Sequence, residues 1–480
     1  MPEIGEECGV LGVYRDRPGP VAMDCYLGLC ALQHRGQESC GIAVNEDGLF
    51  RVHQDAGLVS EVMGPRILEE LGFGQIAVGH VRYGTDDSRG RANMQPIVIN
   101  HRKGRLALAN NGALTNYAGL RDSFESEGHI FHTTGDAEVI SCVITRERLN
   151  ASSTEEALLR AMASLEGSYT LALMTPRKLI AARGPRGFRP LCYGRLPEGG
   201  YVVASESCAL DVTGAAFVRD VLPGEIVVFD ASGVRSITSA CAAGKRSSCV
   251  FEYIYFARPD SVVDGVSVHG ARARAGEFLA REHPVEADIV VGVPDSGIDG
   301  AIGYARASGI PYGLGFIKNK YIARTFIDPG VQRGTQVKIK LNPLAAVVAD
   351  KRVVLVDDSI VRGTTSRKIV RLLKDAGAGQ VHVRVTAPPF MNPCYYGTDI
   401  RSREHLVAVK HPIPEMRALF GADSLGFLSL RGVQEIAQPI PRGDLCTACF
   451  DGRYPIPGPD TMQRNRYDKK LVLVGETYEI

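Results

Sequence analysis

Two adjacent carboxylates end an apolar run in the string VVLVDDSIVRGTTS, residues 353–366. After Asp357 and Asp358, a turn with one glycine and two threonines opens a helical pattern. At the carboxyl end of a parallel strand, such acids can hold ribose hydroxyls or a magnesium ion, while backbone N–H groups and hydroxyls bind phosphate. An acidic turn that only caps a helix would explain the two acids but not the whole string. The residues predicted to bind phosphate are Arg362, Gly363, Thr364 and Thr365.

The elements that must position these groups differ between the two halves of the chain. Before a small, polar stretch at residues 231–248, short apolar runs bounded by Gly, Pro and Asn predict strands, interrupted by helices near residues 22–32 and 137–149. We expect stacked antiparallel sheets flanked by helices, an α+β arrangement. After residue 248, continuous apolar runs alternate with helical segments such as residues 366–376, which predicts an α/β domain with a parallel sheet.

Composition narrows the class of protein. The 480 residues are 45% hydrophobic and 23% charged, and 55 Lys and Arg against 54 Asp and Glu give a net charge of +1. This balance gives no general reason to expect binding to nucleic acid or membranes. No apolar run is long enough to span a bilayer, and the acidic N-terminus is unlike a secretory signal, so we expect a cytoplasmic protein. There the twelve cysteines serve as core residues, nucleophiles or metal ligands rather than disulfides.

The string at residues 353–366 resembles the phosphoribosyl pyrophosphate (PRPP) motif of type I phosphoribosyltransferases. VVGVPDSG, residues 290–297, resembles the pyrophosphate loop of the glutamine PRPP amidotransferases, and its turn amides suit a diphosphate. The basic segment 318–343 resembles that family's mobile lid, although a solvated basic loop would have the same composition. The resemblance implies Mg²⁺ at Ser296, Asp357 and Asp358. It also implies PRPP contacts from Ser296, Gly297, Lys318, Tyr321, Lys340, Arg362, Gly363, Thr364 and Thr365.

The stretch from Cys8 resembles the glutaminase domain of the same family, an N-terminal nucleophile hydrolase. This chemistry uses the thiol of Cys8 as nucleophile and its own α-amino group as base, so residues 1–7 would be a propeptide. A cysteine before a strand is, taken alone, more often a core residue. The resemblance, carried by LQHRGQES, GHVRYGT, NNGALTN and TTGDAEV, implies that Arg82 and Asp136 bind glutamine. Asn111 and Gly112 would form the oxyanion hole, although NNG is also typical of a type I′ hairpin turn.

Four further cysteines lie in family-like contexts. Cys446 and Cys449 form a C-x-x-C motif, Cys394 lies in NPCYYG, and Cys249 opens CVFEYIYFARPDS. The resemblance points to a subgroup that has a propeptide and four cysteines binding a [4Fe–4S] cluster. Four thiolates also suit zinc, and spacing alone does not separate the two metals.

The resemblance covers nearly the whole chain. It implies a propeptide (1–7), a glutaminase domain (8–235), a phosphoribosyltransferase domain (250–450) and a surface tail (451–480). It further implies that ammonia from glutamine is transferred to PRPP in the first committed step of purine synthesis, with purine nucleotides as feedback inhibitors and a homotetrameric assembly. Two alternatives are a PRPP-binding regulator without catalysis and another glutamine amidotransferase, such as a sugar isomerase or asparagine synthetase. The complete glutaminase half argues against the first, and the PRPP string against the second.

Overall fold

A computed structural model of the chain describes residues 8–84, 90–319, 341–400, 402–459, 472–474 and 477–479. The strands of the N-terminal half are β1 (Gly9–Gly19), β2 (Ser39–Glu46), β3 (Leu49–Ala56), β4 (Gly74–Arg82), β5 (Ile97–His101), β6 (Gly104–Asn111), β7 (Thr170–Met174), β8 (Leu179–Arg183), β9 (Cys192–Arg195), β10 (Tyr201–Ala204), β11 (Ala216–Asp220), β12 (Ile226–Asp230) and β13 (Gly233–Ile237). Its helices are α1 (Val21–Ala31), α2 (Val59–Val62), α3 (Pro65–Leu71), α4 (Tyr117–Ser126), α5 (Asp136–Arg148), α6 (Thr154–Met162) and α7 (Ser207–Thr213).

The strands of the C-terminal half are β14 (Ser248–Cys249), β15 (Val262–Val263), β16 (Val266–Ser267), β17 (Ile289–Gly292), β18 (Phe316–Lys318), β19 (Leu341–Pro343), β20 (Arg352–Asp357), β21 (Gln380–Val385), β22 (Ser424–Phe427), β23 (Leu445–Cys446), β24 (Val472–Val474) and β25 (Thr477–Glu479). Its helices are α8 (Val268–Glu282), α9 (Gly297–Ser308), α10 (Ala345–Val348), α11 (Thr364–Asp375), α12 (Val407–Lys410), α13 (Ile413–Phe420), α14 (Leu430–Glu435) and α15 (Ala448–Asp451). A π-helical turn covers Glu252–Phe256.

Two antiparallel sheets form the N-terminal half. One has the order β11-β9-β10-β1-β4-β2-β3 and the other β13-β12-β8-β7-β6-β5. Their facing sides share one core, in which Val10 and Ile76 of the first sheet pack with Ala109 and Phe229 of the second. The outer faces pack against helices, α1 and α7 on the first sheet and α4 to α6 on the second. Because both faces of each sheet are covered, the four layers are helix, sheet, sheet and helix, as the sequence predicts.

Two expectations about this half need correction. Helices near residues 22–32 and 137–149 are confirmed as α1 and α5, but the prediction of only these two was wrong. The five others are ten residues or shorter, so few apolar positions repeat along each, and periodicity is a weak signal. The small, polar stretch 231–248, expected to separate the two halves, is also partly a strand, because β13 pairs with β12 as far as Ile237.

The C-terminal half contains a parallel sheet of order β17-β20-β21-β22. Val354 and Val356 face a core on one side of it, while Val353 and Leu355 face a second core on the other. Burial of both faces explains the uninterrupted apolar run of β20 and confirms the predicted parallel sheet. In this register Gly292 lies opposite Val356, so the loops after β17 and β20 leave the sheet at the same edge.

Buried polar contacts join the two halves. The guanidinium of Arg183 donates to both carboxylate oxygens of Asp264 at 2.7 and 2.9 Å. The Ser261 hydroxyl donates to Glu206 at 2.7 Å. Charged groups withdrawn from water keep their charge only when paired and hydrogen-bonded. The contacts therefore fix the orientation of the two halves as well as their proximity.

Candidate active sites

Cys8 lies at the start of the central strand of the first sheet. The next residue, Gly9, begins β1 and pairs with Val81 of β4. The Cys8 thiol lies 3.7 Å from the carbonyl oxygen of Tyr83, and its own carbonyl accepts a hydrogen bond from Nε of Arg35 at 3.0 Å. Both ends of the residue are thus held, which suits a nucleophile that must present its thiol in one orientation.

Arg35 is fully buried and holds Cys8 through an ion network. Its guanidinium donates to Glu206 at 2.6 Å and to Glu252 at 2.8 and 2.9 Å. Burial disfavours the charged guanidinium, but Glu252 and Glu206 outweigh it and raise the pKa of Arg35. Burial also opposes ionisation of Glu206, yet His34 and Arg35 hold the pKa of that carboxyl well below its usual range. The group that holds the Cys8 carbonyl is therefore permanently charged.

The turn after β6 carries the residues expected to form the oxyanion hole. Asn111 ends β6 and is fully buried, and neither polar atom of its amide has a hydrogen-bond partner in the described part of the chain. Gly112 has φ 133°, and a Cβ there would lie 2.2 Å from the carbonyl oxygen of Ser168, so only glycine fits. A buried donor with no protein partner is what an oxyanion requires.

The hairpin interpretation of NNG is wrong. After Asn111 the chain does not return along β6 but passes to α4, which begins at Tyr117. Strand β6 instead pairs with β5 on one side and with the distant β7 on the other.

Asp136 and Arg82 border this turn. Asp136 is the first residue of α5 and accepts a hydrogen bond from the N–H of Leu114 at 3.0 Å, which ties the helix to the turn. A carboxylate is favoured at a helix N-terminus. Arg82 is buried at the end of β4, the strand that also pairs with the start of β1. Arg82 directly precedes Tyr83, whose carbonyl oxygen lies 3.7 Å from the Cys8 thiol. A cation and an anion of this kind match the two charges of a free amino acid.

Asp357 and Asp358 lie at the carboxyl end of β20, both almost fully buried. The Ser296 hydroxyl, from the loop after the neighbouring strand β17, donates to Asp358, as does the hydroxyl of Ser359. Burial raises the pKa of Asp358 despite these bonds. The three residues expected at magnesium are therefore adjacent. Two carboxylates and a hydroxyl are hard oxygen donors of the kind that Mg²⁺ prefers, so the donor set fits the ion.

The phosphate turn follows directly. Gly363 has φ 74°, and a Cβ there would lie 2.6 Å from the ring of Phe420, so glycine is required. Thr364 and Thr365 then begin α11, whose N-terminal amides face the turn after β20. Arg362 precedes Gly363, and Gly297 begins α9 in the loop after β17. Helices α9 and α11 therefore both begin at the same edge of the parallel sheet.

Lys318 ends β18 and forms an ion pair with Asp295, beside Ser296. This places one cation of the basic segment next to the predicted pyrophosphate loop. Tyr321 and Lys340, and residues 1–7 of the expected propeptide, lie outside the described residues.

The four cysteines expected to bind metal line one apolar cavity of about 20 Å³. Cys249 of β14 lies opposite Cys446 of β23, and the N–H groups of Met391 and Asn392 both donate to the carbonyl oxygen of Cys449. Burial, and then the neighbouring thiols, raise the pKa of Cys446 and Cys449 well above the usual value. Ile456 belongs to the segment expected to be a surface tail, but it is buried and packs in one apolar group with Cys446.

The four thiols that line this cavity suit either a tetrahedral zinc ion or an iron–sulfur cluster. Among the described residues, no three His, Cys, Asp or Glu side chains are close enough together to hold one metal ion.

Three residues that form the ion network beside Cys8 were not predicted from the sequence. Arg35 lies in the LQHRGQES motif, yet no role was assigned to it. Glu252 stands alone in the apolar aromatic run CVFEYIYF, and Glu206 stands in VVASESCAL. A lone carboxylate in an apolar run is a usable signal, because burial forces it to find a cation.

Comparisons with known proteins agree with both halves. A glutamine amidotransferase domain model matches residues 80–212, and a phosphoribosyl transferase domain model matches residues 266–399. The amidophosphoribosyltransferase of Archaeoglobus fulgidus is 47% identical over 94% of this chain and 98% of its own length. That of Bacillus subtilis is 44% identical over 94% of each chain.

Solved structures extend the agreement to three dimensions. Glutamine PRPP amidotransferase from B. subtilis, complexed with ADP and GMP, matches with a TM-score of 0.86 at 43% identity, covering 93% of this chain and 97% of that one. A structure described as the allosteric regulatory enzyme of purine biosynthesis matches with a TM-score of 0.87 at 44% identity, covering 93% and 96%. In the described residues, no helix is both long and apolar enough to cross a membrane. The chain belongs to the amidophosphoribosyltransferase family.

Proposed function

We propose that this chain performs its family's reaction with the residues described above, converting PRPP and glutamine to 5-phosphoribosylamine, diphosphate and glutamate in the first committed step of purine synthesis. The observation that carries the assignment is the presence of both half-sites in one chain. Cys8 lies at the head of β1, and Asp357 and Asp358 lie at the end of β20. A PRPP-binding regulator has no use for the first, and another glutamine amidotransferase has no use for the second.

In the glutaminase half, removal of residues 1–7 would free the α-amino group of Cys8 to take the thiol proton. The thiolate attacks the glutamine carboxamide carbon, and the developing oxyanion accepts hydrogen bonds from the Asn111 amide and the Gly112 N–H. The protonated amine returns its proton to the departing ammonia, which leaves a thioester on Cys8. Water then hydrolyses the thioester to glutamate and restores the thiol. Arg82 and Asp136 orient the substrate through its α-carboxylate and α-ammonium groups.

In the transferase half, ammonia attacks C1 of PRPP and diphosphate leaves. The amides and hydroxyls of Gly363, Thr364 and Thr365 bind the 5-phosphate, with Arg362 beside them. The loop at Ser296 and Gly297 receives the diphosphate, and Lys318 places a positive charge beside that loop. Tyr321 and Lys340, outside the described residues, stay PRPP contacts in this proposal. Buried ion pairs join the two halves, which supports internal transfer of ammonia from the first site to the second.

Two bound groups complete this proposal. Ser296, Asp357 and Asp358 would hold Mg²⁺, which neutralises charge on the leaving diphosphate. Cys249, Cys394, Cys446 and Cys449 would hold a [4Fe–4S] cluster whose role is structural, since neither half-reaction moves electrons. The cavity lined by the four thiols supports a metal site here, and the resemblance to the subgroup with a propeptide supports iron–sulfur over zinc. The cluster and propeptide would place the chain in the corresponding subgroup of its family.

Assembly and regulation extend the proposal. The B. subtilis relative was solved with ADP and GMP, which supports purine nucleotides as feedback inhibitors of this chain. A homotetramer in the cytoplasm and the domain division 1–7, 8–235, 250–450 and 451–480 belong to the same proposal.

The decisive experiment is glutamate release from glutamine with and without PRPP, with phosphoribosylamine measured in parallel. We expect PRPP-dependent formation of both products in equal amounts. Cys8→Ala should abolish the use of glutamine but leave synthesis from added ammonia. PRPP binding without any turnover would favour the regulator, and glutamine hydrolysis without PRPP use would favour another amidotransferase.

A further inference from the structure

The backbone N–H and carbonyl of Asn110 are both bonded to side chains rather than to a neighbouring strand. Strand β5 pairs with β6 only as far as Leu108, opposite Ile97. Beyond that point the Asn110 N–H donates to Oε1 of Gln95 at 2.7 Å, and its carbonyl lies 3.0 Å from Nε2 of His80. In a strand, the N–H and C=O of one residue point to the same side. Gln95 and His80 therefore replace the missing strand partner on the β5 side.

The chemistry of these contacts fixes the state of His80. A carbonyl only accepts, so Nε2 must carry the proton. Nδ1 is buried and has no partner among the described residues. Burial, and then the positive charge of Arg82, lower the pKa of His80 to about 3. The ring is thus a neutral donor from Nε2.

The position of Asn110 makes these contacts relevant to catalysis. Its carbonyl and the N–H of Asn111 belong to one planar peptide group, so a bond to that carbonyl sets the plane from which the Asn111 side chain extends. The Asn110 amide also approaches the carbonyl of Gly112, at 3.4 Å. The Asn111 amide itself has no hydrogen-bond partner in the described residues. Its orientation therefore depends on the backbone before it.

We propose that His80 and Gln95 are positioning residues that hold the Asn110–Asn111 peptide so that Asn111 and Gly112 face the oxyanion of the glutaminase reaction. This inference rests on the proposed oxyanion hole. Neither residue touches the substrate. Each acts through Asn110, and the effect is expected on the tetrahedral transition state rather than on glutamine binding.

The test uses the full-length enzyme and a pair of substitutions at each position. His80→Leu removes the donor, while His80→Gln retains an N–H at similar reach. Gln95→Met removes the acceptor, while Gln95→Glu retains one. His101→Gln is the matched control, because His101 ends β5 opposite Gly104, at the end of β6 that is away from the turn. The readouts are kcat and KM for glutamine hydrolysis, synthesis from added ammonia, and the rate of Cys8 alkylation by iodoacetamide, which needs no oxyanion hole.

We expect His80→Leu and Gln95→Met to lower kcat for glutamine about 10- to 100-fold, somewhat less than loss of an oxyanion donor itself. The glutamine KM, ammonia-dependent synthesis and Cys8 alkylation should change less than about twofold, since substrate binding and the thiol are untouched. His80→Gln and Gln95→Glu should recover most of the lost kcat, and His101→Gln should match the wild type.

The proposal is overturned if kcat is unchanged, if KM carries the loss, or if the conservative variants are as impaired as the others. An equal loss of ammonia-dependent synthesis in all four variants would assign both residues to folding alone. If His80→Leu does not fold, the Gln95 pair decides the question. Asn111→Leu separates this inference from its premise, because a wild-type kcat in that variant would remove the oxyanion assignment itself.

Discussion

Arg35 and Glu252 face each other across the boundary between the two halves of the chain, joined by hydrogen bonds of 2.8 and 2.9 Å with both side chains buried. The Nε–H of the same guanidinium donates to the carbonyl oxygen of Cys8. A carboxylate of the C-terminal half thus stabilises the guanidinium that holds Cys8, so the proposed glutaminase site depends on contacts from both halves.

Replacing Glu252 should reveal this dependence. Glu252→Gln takes one buried carboxylate from both Arg35 and Arg189, and Arg35 keeps Glu206. We expect the free energy of unfolding to fall by about 3 kcal/mol, because two buried cations each lose an anionic contact. Glutamine hydrolysis should fall more than ammonia-dependent synthesis. The exposed Glu198, which pairs with Arg15, supplies the control Glu198→Gln, for which a much smaller change is expected. Urea unfolding and the two assays measure these effects. Equal stability of the two variants would contradict the role given to the buried pair.

Maturation gives a second prediction. Because the α-amino group of Cys8 must be free to act as base, mass spectrometry of active enzyme should show that residues 1–7 are missing. A variant in which cleavage is blocked should retain ammonia-dependent synthesis and lose glutamine hydrolysis. Full glutaminase activity in a chain that still begins at Met1 or Pro2 would rule out this mechanism.

The acidic pair gives a third prediction. Asp357→Asn or Asp358→Asn should lower PRPP turnover at least about 100-fold, because each would remove a proposed ligand of the Mg²⁺ that neutralises the diphosphate. Basal glutamine hydrolysis should stay measurable, since Cys8 lies in the other half. Asp375→Asn, at the exposed end of α11, is the control for a charge change alone. Wild-type PRPP turnover in either active-site variant would show that the PRPP site lies elsewhere.

The cysteine cavity gives a fourth prediction. Protein purified without oxygen should be brown and contain about four irons per chain. Cys446→Ser/Cys449→Ser should lose the iron and unfold at lower temperature, because metal binding joins distant segments and couples to folding. Cys241→Ser, in the linker and outside the cavity, should keep both iron and stability. Colourless active protein with one zinc would assign the site to zinc, and an unaffected double variant would remove its structural role.

Local sequence determined some of the elements. The apolar run of β20, ending in Asp357 and Asp358, specifies a buried parallel strand and its acidic end because burial on both faces demands continuous apolar residues. The glycine at position 363 is also a local requirement, because φ 74° is a backbone conformation that other residues adopt only with strain. Helices α1 and α5 follow from periodicity within one segment.

Tertiary structure decided how these segments meet. Arg35 lies 217 residues before Glu252, and His80 lies 30 residues before Asn110. No local sequence pattern therefore predicts either contact. The same holds for Cys249, Cys394 and Cys446, which share one cavity only after the chain has folded. Buried charges and donors must find partners wherever the fold supplies them, and the partner is set by the packing of whole sheets rather than by neighbouring residues. The sequence therefore determined the chemistry that was available, and the packing of its two halves determined which groups act together.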